Sequence, residues 1–224
     1  MAKHTLYDRY MAKRIGITMR VDTAAGHGEQ RDCLALDWAI YMANVCPEAN
    51  WMALPNIGEA IIEYVQQWNL EGFIFSGGND LGSVPQRDRT ETSLLDHAFR
   101  AGLPIFGVCR GLQLLHQHAG GSLVRCQSQT HVGQSHPIHL RADLLEFEAP
   151  GQVTVNSFHN WAVPARTLAS SLELVAASSD GCVEAVRHRA APIAAVQWHP
   201  ERKAENLQTT LDRDLLYQTL ELNH

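Results

Sequence analysis

Short apolar runs alternate with longer amphipathic stretches through the first half of the chain. Residues 14–19, 51–54 and 72–75 are the apolar runs, and their lengths predict strands. Residues 31–45 and 57–68 repeat apolar positions at helical spacing and predict helices. This alternation is typical of an α/β fold, in which a parallel sheet carries helices on both faces and ligands bind beyond the carboxyl ends of its strands.

The pattern changes in the second half. Residues 90–100 predict a helix that leads into the apolar run 103–106. Strand-like runs with few helices follow, until a last helix is predicted at 213–222. We find no internal repeat, low-complexity tract or linker, so the sequence predicts one domain over residues 14–224.

The first 13 residues are predicted to be an extension that precedes this domain. Met-Ala-Lys occurs at residues 1–3 and again at 11–13, and the first predicted strand begins only at Arg14. We therefore expect residues 1–10 to lie outside the core, upstream of a natural start at Met11.

Composition narrows the class of protein. A chain of 224 residues with 45% hydrophobic content can bury one sizeable core. It contains no apolar stretch near the roughly 20 residues that span a bilayer and no signal-peptide pattern. Five scattered cysteines indicate reduced thiols in a cytoplasm, and a net charge of -6 disfavours nucleic acid as a partner. The sequence therefore predicts a cytoplasmic protein without a membrane or nucleic-acid partner.

Cys109 lies in a turn between a predicted strand and a predicted helix. The segment 107–111 (GVCRG) places a glycine two residues before and two residues after it, and an apolar helical pattern follows at 112–115. Such a turn presents a nucleophile on a strained elbow, where the small neighbours leave room for the backbone. Helix N-termini favour anions, and the thiolate is the attacking form of cysteine. The alternative is a buried structural cysteine in an ordinary turn.

The segment 197–201 (QWHPE) supplies a base and an acid. Residues 192–197 predict a core strand, so His199 emerges at its end, and Pro200 restricts His199 to extended backbone. Residues two apart share a face of extended chain, so Glu201 can reach His199. A carboxylate behind an imidazole fixes its tautomer and stabilises the imidazolium. A surface turn after an edge strand is the alternative.

Six motifs in order over residues 14–203 resemble a class I glutamine amidotransferase domain, and more narrowly the γ-glutamyl hydrolase (peptidase C26) branch. They are the oxyanion loop 76–80 (SGGND), the RDxxE helix start 87–91 (RDRTE), the elbow 107–113 (GVCRGLQ), the substrate strand 155–159 (VNSFH), the DGxIEA strand 180–185 (DGCVEA), and QWHPE at 197–201. The arginine after the nucleophile is the one this branch favours. The resemblance implies a flavodoxin-like three-layer sandwich, with a mostly parallel central sheet and a nucleophile elbow.

The resemblance also implies the site and its reaction. It implies a triad, an oxyanion hole and substrate contacts from these residues: Cys109, His199 and Glu201; the backbone of Gly78 and Arg110; and Gln113, Ser157, Phe158, Asn79 and His159. Gln113 could instead be an exposed helix position, and His159 could merely pack beside the site. The implied reaction is hydrolysis of a small-molecule γ-glutamyl amide through a γ-glutamyl thioester, which releases glutamate and needs no cofactor.

The sequence leaves open which leaving group is released and whether the protein acts alone or with a separate synthetase. Glutamine, γ-glutamyl-aminobutyrate, other γ-glutamyl amines and γ-glutamyl phosphoramidate nucleotides are all compatible substrates within the family. Arg20 and Arg31 follow the first strand and could bind an acidic or phosphorylated leaving group, the alternative being a solvated loop and a helix N-terminus. A glutaminase subunit that delivers ammonia to a separate synthetase is a second interpretation, and a non-catalytic binding protein is a third. The sequence does not predict an oligomeric state.

Twelve histidines make metal binding a rival hypothesis. His116 and His118 are two apart on a predicted helix, so they point to different faces. His131, His136 and His139 lie in a polar stretch without a cysteine or carboxylate at regular ligand spacing. The sequence therefore predicts solvated histidines and no metal site. It predicts a surface excursion over residues 126–148, with a lid over the site as the alternative.

Overall fold

The computed structural model describes residues 12–126, 131–145, 151–202 and 206–222. The described residues form these strands and helices: β1 (Arg14–Thr18), β2 (Arg20–Thr23), β3 (Gln30–Cys33), α1 (Leu36–Val45), β4 (Asn50–Leu54), α2 (Ile61–Gln67), β5 (Gly72–Phe75), α3 (Pro85–Ala101), β6 (Ile105–Val108), α4 (Arg110–His118), β7 (Val124–Arg125), β8 (Val132–Leu140), β9 (Gln152–Phe158), β10 (Trp161–Ala162), β11 (Leu172–Ser178), β12 (Val183–His188), β13 (Ile193–Val196) and α5 (Asn206–Leu220).

One nine-stranded sheet forms the centre, in the order β4-β1-β5-β6-β13-β12-β11-β8-β9. The five strands from β4 to β13 are parallel to one another. The four strands from β12 to β9 continue the sheet with antiparallel pairing. Two small hairpins, β2–β3 and β7–β10, lie outside this sheet. The carboxyl ends of β5, β6 and β13 therefore lie side by side, in the middle of the sheet.

Helices cover both faces of the sheet and bury two hydrophobic clusters. On one face, α1 and α5 pack through residues such as Trp38, Met42 and Leu216. On the other face, α2, α3 and α4 pack through residues such as Ile61 and Leu112. Such layering buries the apolar positions of the central strands on both sides. The predicted α/β sandwich with a parallel core is confirmed.

Several predicted boundaries were wrong. Gln30–Cys33 is a strand that pairs with Arg20–Thr23, and the helix predicted from residue 31 begins only at Leu36. Both strands of this hairpin are polar, so apolar spacing could not reveal them. The helix predicted from residue 90 begins at Pro85, where a missing N–H carries no penalty in the first turn. The last helix begins at Asn206 rather than 213.

The region 126–148 is not a surface excursion in its described part. Val132–Leu140 is a nine-residue strand between β11 and β9, and it is therefore a member of the main sheet. His131 and His136 are consequently buried, whereas His139 is exposed as predicted. Residues 127–130 and 146–148 lie outside the described residues.

Most of the predicted N-terminal extension, residues 1–11, also lies outside the described residues, so its boundary stays a prediction. Lys13 Nζ donates a hydrogen bond of 2.6 Å to Leu220 O at the end of α5. All five cysteines are free. Within the described part of the chain, no helix has the length and apolar character needed to cross a bilayer.

Candidate active site

Cys109 lies on a sharp turn between β6 and α4. Its backbone has φ 52° and ψ -95°, a conformation that is strained for a residue with a side chain. The backbone segments around the turn approach one another so closely that only glycine fits on either side of Cys109. A Cβ on Gly111 would lie 2.8 Å from Phe75 O, and one on Gly107 would lie 2.9 Å from the carbonyl carbon of Gly111. The predicted elbow and its need for flanking glycines are confirmed.

His199 lies beside Cys109 because their strands are neighbours. Val196 of β13 pairs in parallel with Val108 of β6, and the Cys109 N–H donates to Val196 O at 2.7 Å. His199 Nδ1 lies 2.7 Å from Glu201 Oε1, and both side chains are buried. The structure therefore brings the three predicted triad residues to one edge of the sheet.

The backbone of His199 is held from both sides. Asn156 accepts a hydrogen bond from the His199 N–H at 2.9 Å and donates one to its carbonyl at 2.8 Å. The neighbouring Trp198 is fully buried and donates its indole N–H to Asp212 at 2.6 Å. Asn156 lies in the predicted substrate strand, but this contact was not predicted, because an amide that bonds both sides of a backbone 43 residues away leaves no local pattern.

The charge state of His199 follows from its neighbours. Burial lowers the pKa of His199, but hydrogen bonds and charge from Cys109 and Glu201 raise it, and the balance is a pKa of about 10. Glu201 occupies Nδ1, which leaves Nε2 available to Cys109. This arrangement favours an imidazolium beside the sulfur at neutral pH.

Gln197 is a contact of Cys109 that sequence reasoning missed. Its Nε2 donates to Cys109 Sγ at 3.5 Å, and the side chain is fully buried. The signal was present, because residues 197 and 199 share a face of extended chain. The second hydrogen-bond donor at the sulfur therefore comes from the same motif as His199.

The loop after β5 lies against the imidazole. A Cβ on Gly77 would lie 2.6 Å from His199 Cε1, so only glycine fits there. Gly78 has a φ of 117°, which L residues rarely adopt. Arg87 holds this loop, because its Nη2 donates to Ser76 O at 2.7 Å and to Gly77 O at 3.0 Å. The loop is thus fixed beside the first turn of α4, where Arg110 begins the helix.

The Arg110 side chain points into a buried ion-pair network. It pairs with Asp88 at 2.5 Å and with Glu91, whose other oxygen lies 3.0 Å from Arg87 Nε. Arg87, Glu91 and Arg110 are at most 1% exposed. The sequence identified the segment 87–91 only as a helix start. Its charges in fact link the Ser76–Gly77 loop to the first residue after Cys109.

The side chains of Gln113 and Ser157 are buried, and that of Phe158 borders solvent. Gln113 Nε2 donates to Trp161 O at 3.2 Å, which excludes the alternative of an exposed helix position. Ser157 Oγ donates to His131 O at 2.8 Å. The Phe158 ring is 41% exposed and meets the His199 ring edge-on, with centroids 5.8 Å apart. Contacts of these residues with a substrate stay predictions.

The polar groups of Asn79 are used within the fold. Its amide exchanges two hydrogen bonds of 2.8 Å with the backbone of Val21 and accepts one from Arg87. It thereby fixes the β2–β3 hairpin against the loop after β5. Arg20 lies on this hairpin, and a Cβ on Gly78 would lie 2.8 Å from Arg20 Cβ.

Cationic side chains border the site on two sides. Arg20 pairs with Asp22 at 2.6 Å and is half-exposed. Arg31 pairs with Glu29 at 2.9 Å, two residue pairs further along the hairpin. Arg202, which the sequence analysis did not consider, lies 4.0 Å over the Phe158 ring. Arg20 therefore lies against the loop after β5, and Arg202 lies against the Phe158 ring.

His159 is buried and faces away from solvent. Its Nδ1 lies 2.9 Å from Trp161 O, and its Nε2 lies 3.8 Å from Glu184 Oε1. Burial lowers the pKa of His159 to about 3, so its ring is neutral at pH 7. It therefore packs behind Phe158, which agrees with the packing alternative of the sequence analysis.

The described fold is a three-layer α/β sandwich with a mostly parallel central sheet, and solved proteins share it. A solved glutamine amidotransferase from Thermotoga maritima superposes with a TM-score of 0.69 at 16% identity, over 93% of this chain and 98% of the other. Residues 14–201 match the Peptidase C26 family. The chain belongs to this family.

Two curated relatives represent different activities. A γ-glutamyl-CDP-amidate hydrolase from Campylobacter jejuni is 29% identical over 84% of this chain and 90% of its own length. An anthranilate synthase component 2 from Azospirillum brasilense is 34% identical over 58% of this chain and 65% of its own. The chain is therefore similar both to a γ-glutamyl-CDP-amidate hydrolase and to an anthranilate synthase component.

Proposed function

We propose that this protein is a cytoplasmic hydrolase that cleaves the γ-glutamyl amide bond of a small molecule and releases glutamate. The observation that carries the proposal is the buried Glu201–His199 pair, which lies beside a strained Cys109 at the carboxyl ends of adjacent strands. The near full-length similarity to a γ-glutamyl-CDP-amidate hydrolase supports the substrate class.

The first half of the proposed reaction forms a thioester. The Cys109 thiolate attacks the γ-carbonyl carbon, and the carbonyl electron pair moves onto oxygen. The backbone N–H groups of Gly78 and Arg110 bind this oxyanion. Loss of one such donor typically raises the activation barrier by about 3–4 kcal/mol. The C–N bond then breaks as the His199 imidazolium gives its proton to the leaving nitrogen.

The second half returns the enzyme to its starting state. Neutral His199 takes a proton from water, and the resulting hydroxide attacks the thioester carbon. The C–S bond breaks, the thiolate reforms beside the imidazolium, and glutamate leaves. Glu201 holds Nδ1 throughout and stabilises the charged ring. The two halves together convert the γ-glutamyl amide and one water molecule to glutamate and the protonated leaving group.

A phosphoramidate nucleotide is the leaving group we place first. Arg20 and Arg202 border the site, and guanidinium groups suit phosphate oxygens. The name of the Campylobacter jejuni relative contains such a nucleotide. γ-Glutamyl amines, which lack phosphate, gain nothing from these cations.

The direct test is glutamate release by the purified protein alone. The panel consists of glutamine, several γ-glutamyl amines and γ-glutamyl phosphoramidate nucleotides, with Cys109→Ala as the control. Turnover of one member far above glutamine, absent in the variant, supports the proposal. Inactivity of the folded protein toward the whole panel refutes it.

A glutaminase that supplies ammonia to a synthetase is the second candidate. The similarity to an anthranilate synthase component 2 favours it. In that case the protein alone hydrolyses glutamine slowly, and a separate synthetase accelerates it. Co-purification with such a partner and a rise in glutamine turnover on mixing would separate this candidate from the first.

We expect Arg20→Ala to raise KM for γ-glutamyl phosphoramidate nucleotides roughly 10-fold, since a charged hydrogen bond is lost. KM for γ-glutamyl amines should stay unchanged, because they carry no phosphate. Steady-state kinetics on both substrates measures the difference, and Arg189→Ala on the distant β12–β13 turn is the matched control. Equal changes in KM for both substrate types would rule out a phosphate contact.

We expect the alkaline limb of kcat/KM to lie near pH 10 and to move to lower pH in Glu201→Gln. Glu201 stabilises the imidazolium, so its removal lowers the pKa of His199 and the proton needed by the leaving group is lost earlier as pH rises. The shift should be about one pH unit or more. Glu63→Gln, an exposed charge change on α2, should leave the limb in place. An unmoved limb in Glu201→Gln contradicts the assignment.

A further inference from the structure

Three histidines surround one buried carboxylate behind the proposed active site. Glu184 Oε1 on β12 lies 3.3 Å from His136 Nε2, 3.8 Å from His159 Nε2 and 3.9 Å from His131 Nδ1. None of the four residues is more than 9% exposed. The proposed reaction uses none of the four side chains as an acid, a base or a nucleophile.

The outer contacts of two rings fix where their protons lie. His159 Nδ1 is 2.9 Å from Trp161 O, and a carbonyl only accepts, so Nδ1 carries the proton. His131 Nε2 is 2.8 Å from Asp180 Oδ2 and carries the proton for the same reason. In the neutral rings the other nitrogens therefore present lone pairs.

Both lone pairs point at the carboxylate. His159 Nε2 and His131 Nδ1 have no hydrogen-bond partner among the described residues, and each faces Glu184 Oε1. Acceptors thus converge on an acceptor in a buried space, which is unfavourable unless a cation or a proton lies between them. A positive charge at the centre of the cluster would therefore stabilise this arrangement.

The geometry fits a metal ion. Donor atoms of His131, His159 and Glu184 all lie within 4.8 Å of one another. Zinc binds nitrogen and carboxylate oxygen at about 2.0–2.2 Å, so tetrahedral ligands lie about 3.3–3.5 Å apart. His159 Nε2 and His131 Nδ1 lie 3.8 and 3.9 Å from Glu184 Oε1, so these two separations exceed the tetrahedral spacing by at most about 0.6 Å.

The surroundings also follow the pattern of metal-binding histidines. Such rings usually donate their second N–H to a carboxylate or a backbone carbonyl, which fixes the tautomer. Asp180 does this for His131 and Trp161 O does it for His159. Imidazole and carboxylate donors together suit zinc.

We propose that His131, His159 and Glu184 form a structural zinc site, and that His136, whose Nε2 lies 3.3 Å from Glu184 Oε1, turns in as the fourth ligand. Four protein ligands leave no open position, so the ion is not a reactant. His159 directly follows Phe158, and Asn156 of the same strand holds the His199 backbone. The ion therefore fixes the end of β9 against β12, behind the imidazole. The proposal departs from the sequence expectation of no metal and does not depend on the hydrolase assignment.

The first experiment measures zinc binding directly. Untagged protein with Cys109→Ser, which keeps zinc off the nucleophile, is stripped with a chelator and titrated with Zn²⁺ against a chromophoric competitor. We expect one Zn²⁺ per chain with a dissociation constant below about 1 μM, and a higher Tm with zinc. Cobalt(II) should give the visible spectrum of a four-coordinate site. A folded protein that binds no stoichiometric zinc overturns the proposal and indicates a shared proton instead.

Matched variants then locate the ion. His131→Gln and Glu184→Gln should weaken zinc binding at least about 100-fold, and Asp180→Asn about 10-fold or more. His139→Gln changes an exposed histidine of the same strand and should bind zinc normally. Unchanged zinc binding in folded His131→Gln overturns the proposal. If His131→Gln does not fold, the Cys109→Ser protein provides the test. A zinc stoichiometry other than one per chain, or a cobalt spectrum typical of thiolate ligands or of six-coordination, also overturns the proposed site.

Discussion

Replacing Cys109 by alanine should lower kcat for glutamate release by at least about 10⁴-fold without unfolding the protein. Alanine keeps the Cβ but removes the sulfur, so no thioester can form. The expected loss is measured with the best substrate of the panel, and circular dichroism checks the fold. Cys33→Ala, a change of a half-buried thiol on β3, should retain activity. Residual turnover within 10-fold of wild type in Cys109→Ala would mean that another group is the nucleophile.

The same position should show a conflict between stability and activity. The φ of 52° at Cys109 costs about 1–3 kcal/mol in a residue with a Cβ, and glycine removes that strain. Glycine also costs about 0.5–1 kcal/mol in backbone entropy. We therefore expect Cys109→Gly to be about 1 kcal/mol more stable than Cys109→Ala, by urea unfolding, while both are inactive. A less stable glycine variant would show that the elbow is not strained.

The parts of this fold that the sequence predicted depend on local patterns. The strand at Gly72–Phe75 was placed at its observed bounds because a short apolar run between helices has few other interpretations. The elbow at Cys109 was predicted because its two glycines are sterically required within five residues. Cys109, His199 and Glu201 were predicted from two short motifs and the family resemblance, and the parallel pairing of β6 with β13 explains why they lie at one edge of the sheet.

The parts that were missed depend on contacts between distant polar residues. The β2–β3 hairpin is polar on both strands, so it carries no apolar signal. His131 and His136 looked like solvated loop residues, because only the pairing of β8 between β11 and β9 buries them. Glu184 is 48 residues from His136, and no local spacing connects them. The missed features are therefore contacts that tertiary packing creates between residues far apart in the sequence.

Glu91→Gln should destabilise the protein by about 3–5 kcal/mol, because it leaves two buried cations without their shared carboxylate. The two oxygens of Glu91 pair with Arg87 and Arg110, and none of the three side chains exceeds 1% exposure. Glutamine keeps the shape but can neutralise neither guanidinium. Urea unfolding measures the loss, and Glu63→Gln on α2 should stay within about 0.5 kcal/mol of wild type.

A double variant separates charge from shape. If excess buried positive charge causes the loss, Arg110→Met should recover part of the stability of Glu91→Gln, since it removes one of the two cations that share the Glu91 carboxylate and leaves Asp88, which is partly exposed, without its partner. Additive losses in the double variant, or a loss below 1 kcal/mol in Glu91→Gln alone, would contradict this explanation.

The same network sets what Arg110 can contribute to the proposed reaction. Its guanidinium is committed to Asp88 and Glu91, so only its backbone N–H is available beside Cys109. Arg87 extends the network to the Ser76 and Gly77 carbonyls. Loss of Glu91 should therefore lower kcat of the folded fraction as well as stability, because the loop that carries Gly78 loses its anchor. KM should change less than kcat, since the loop is proposed to bind an oxygen charged only in the transition state.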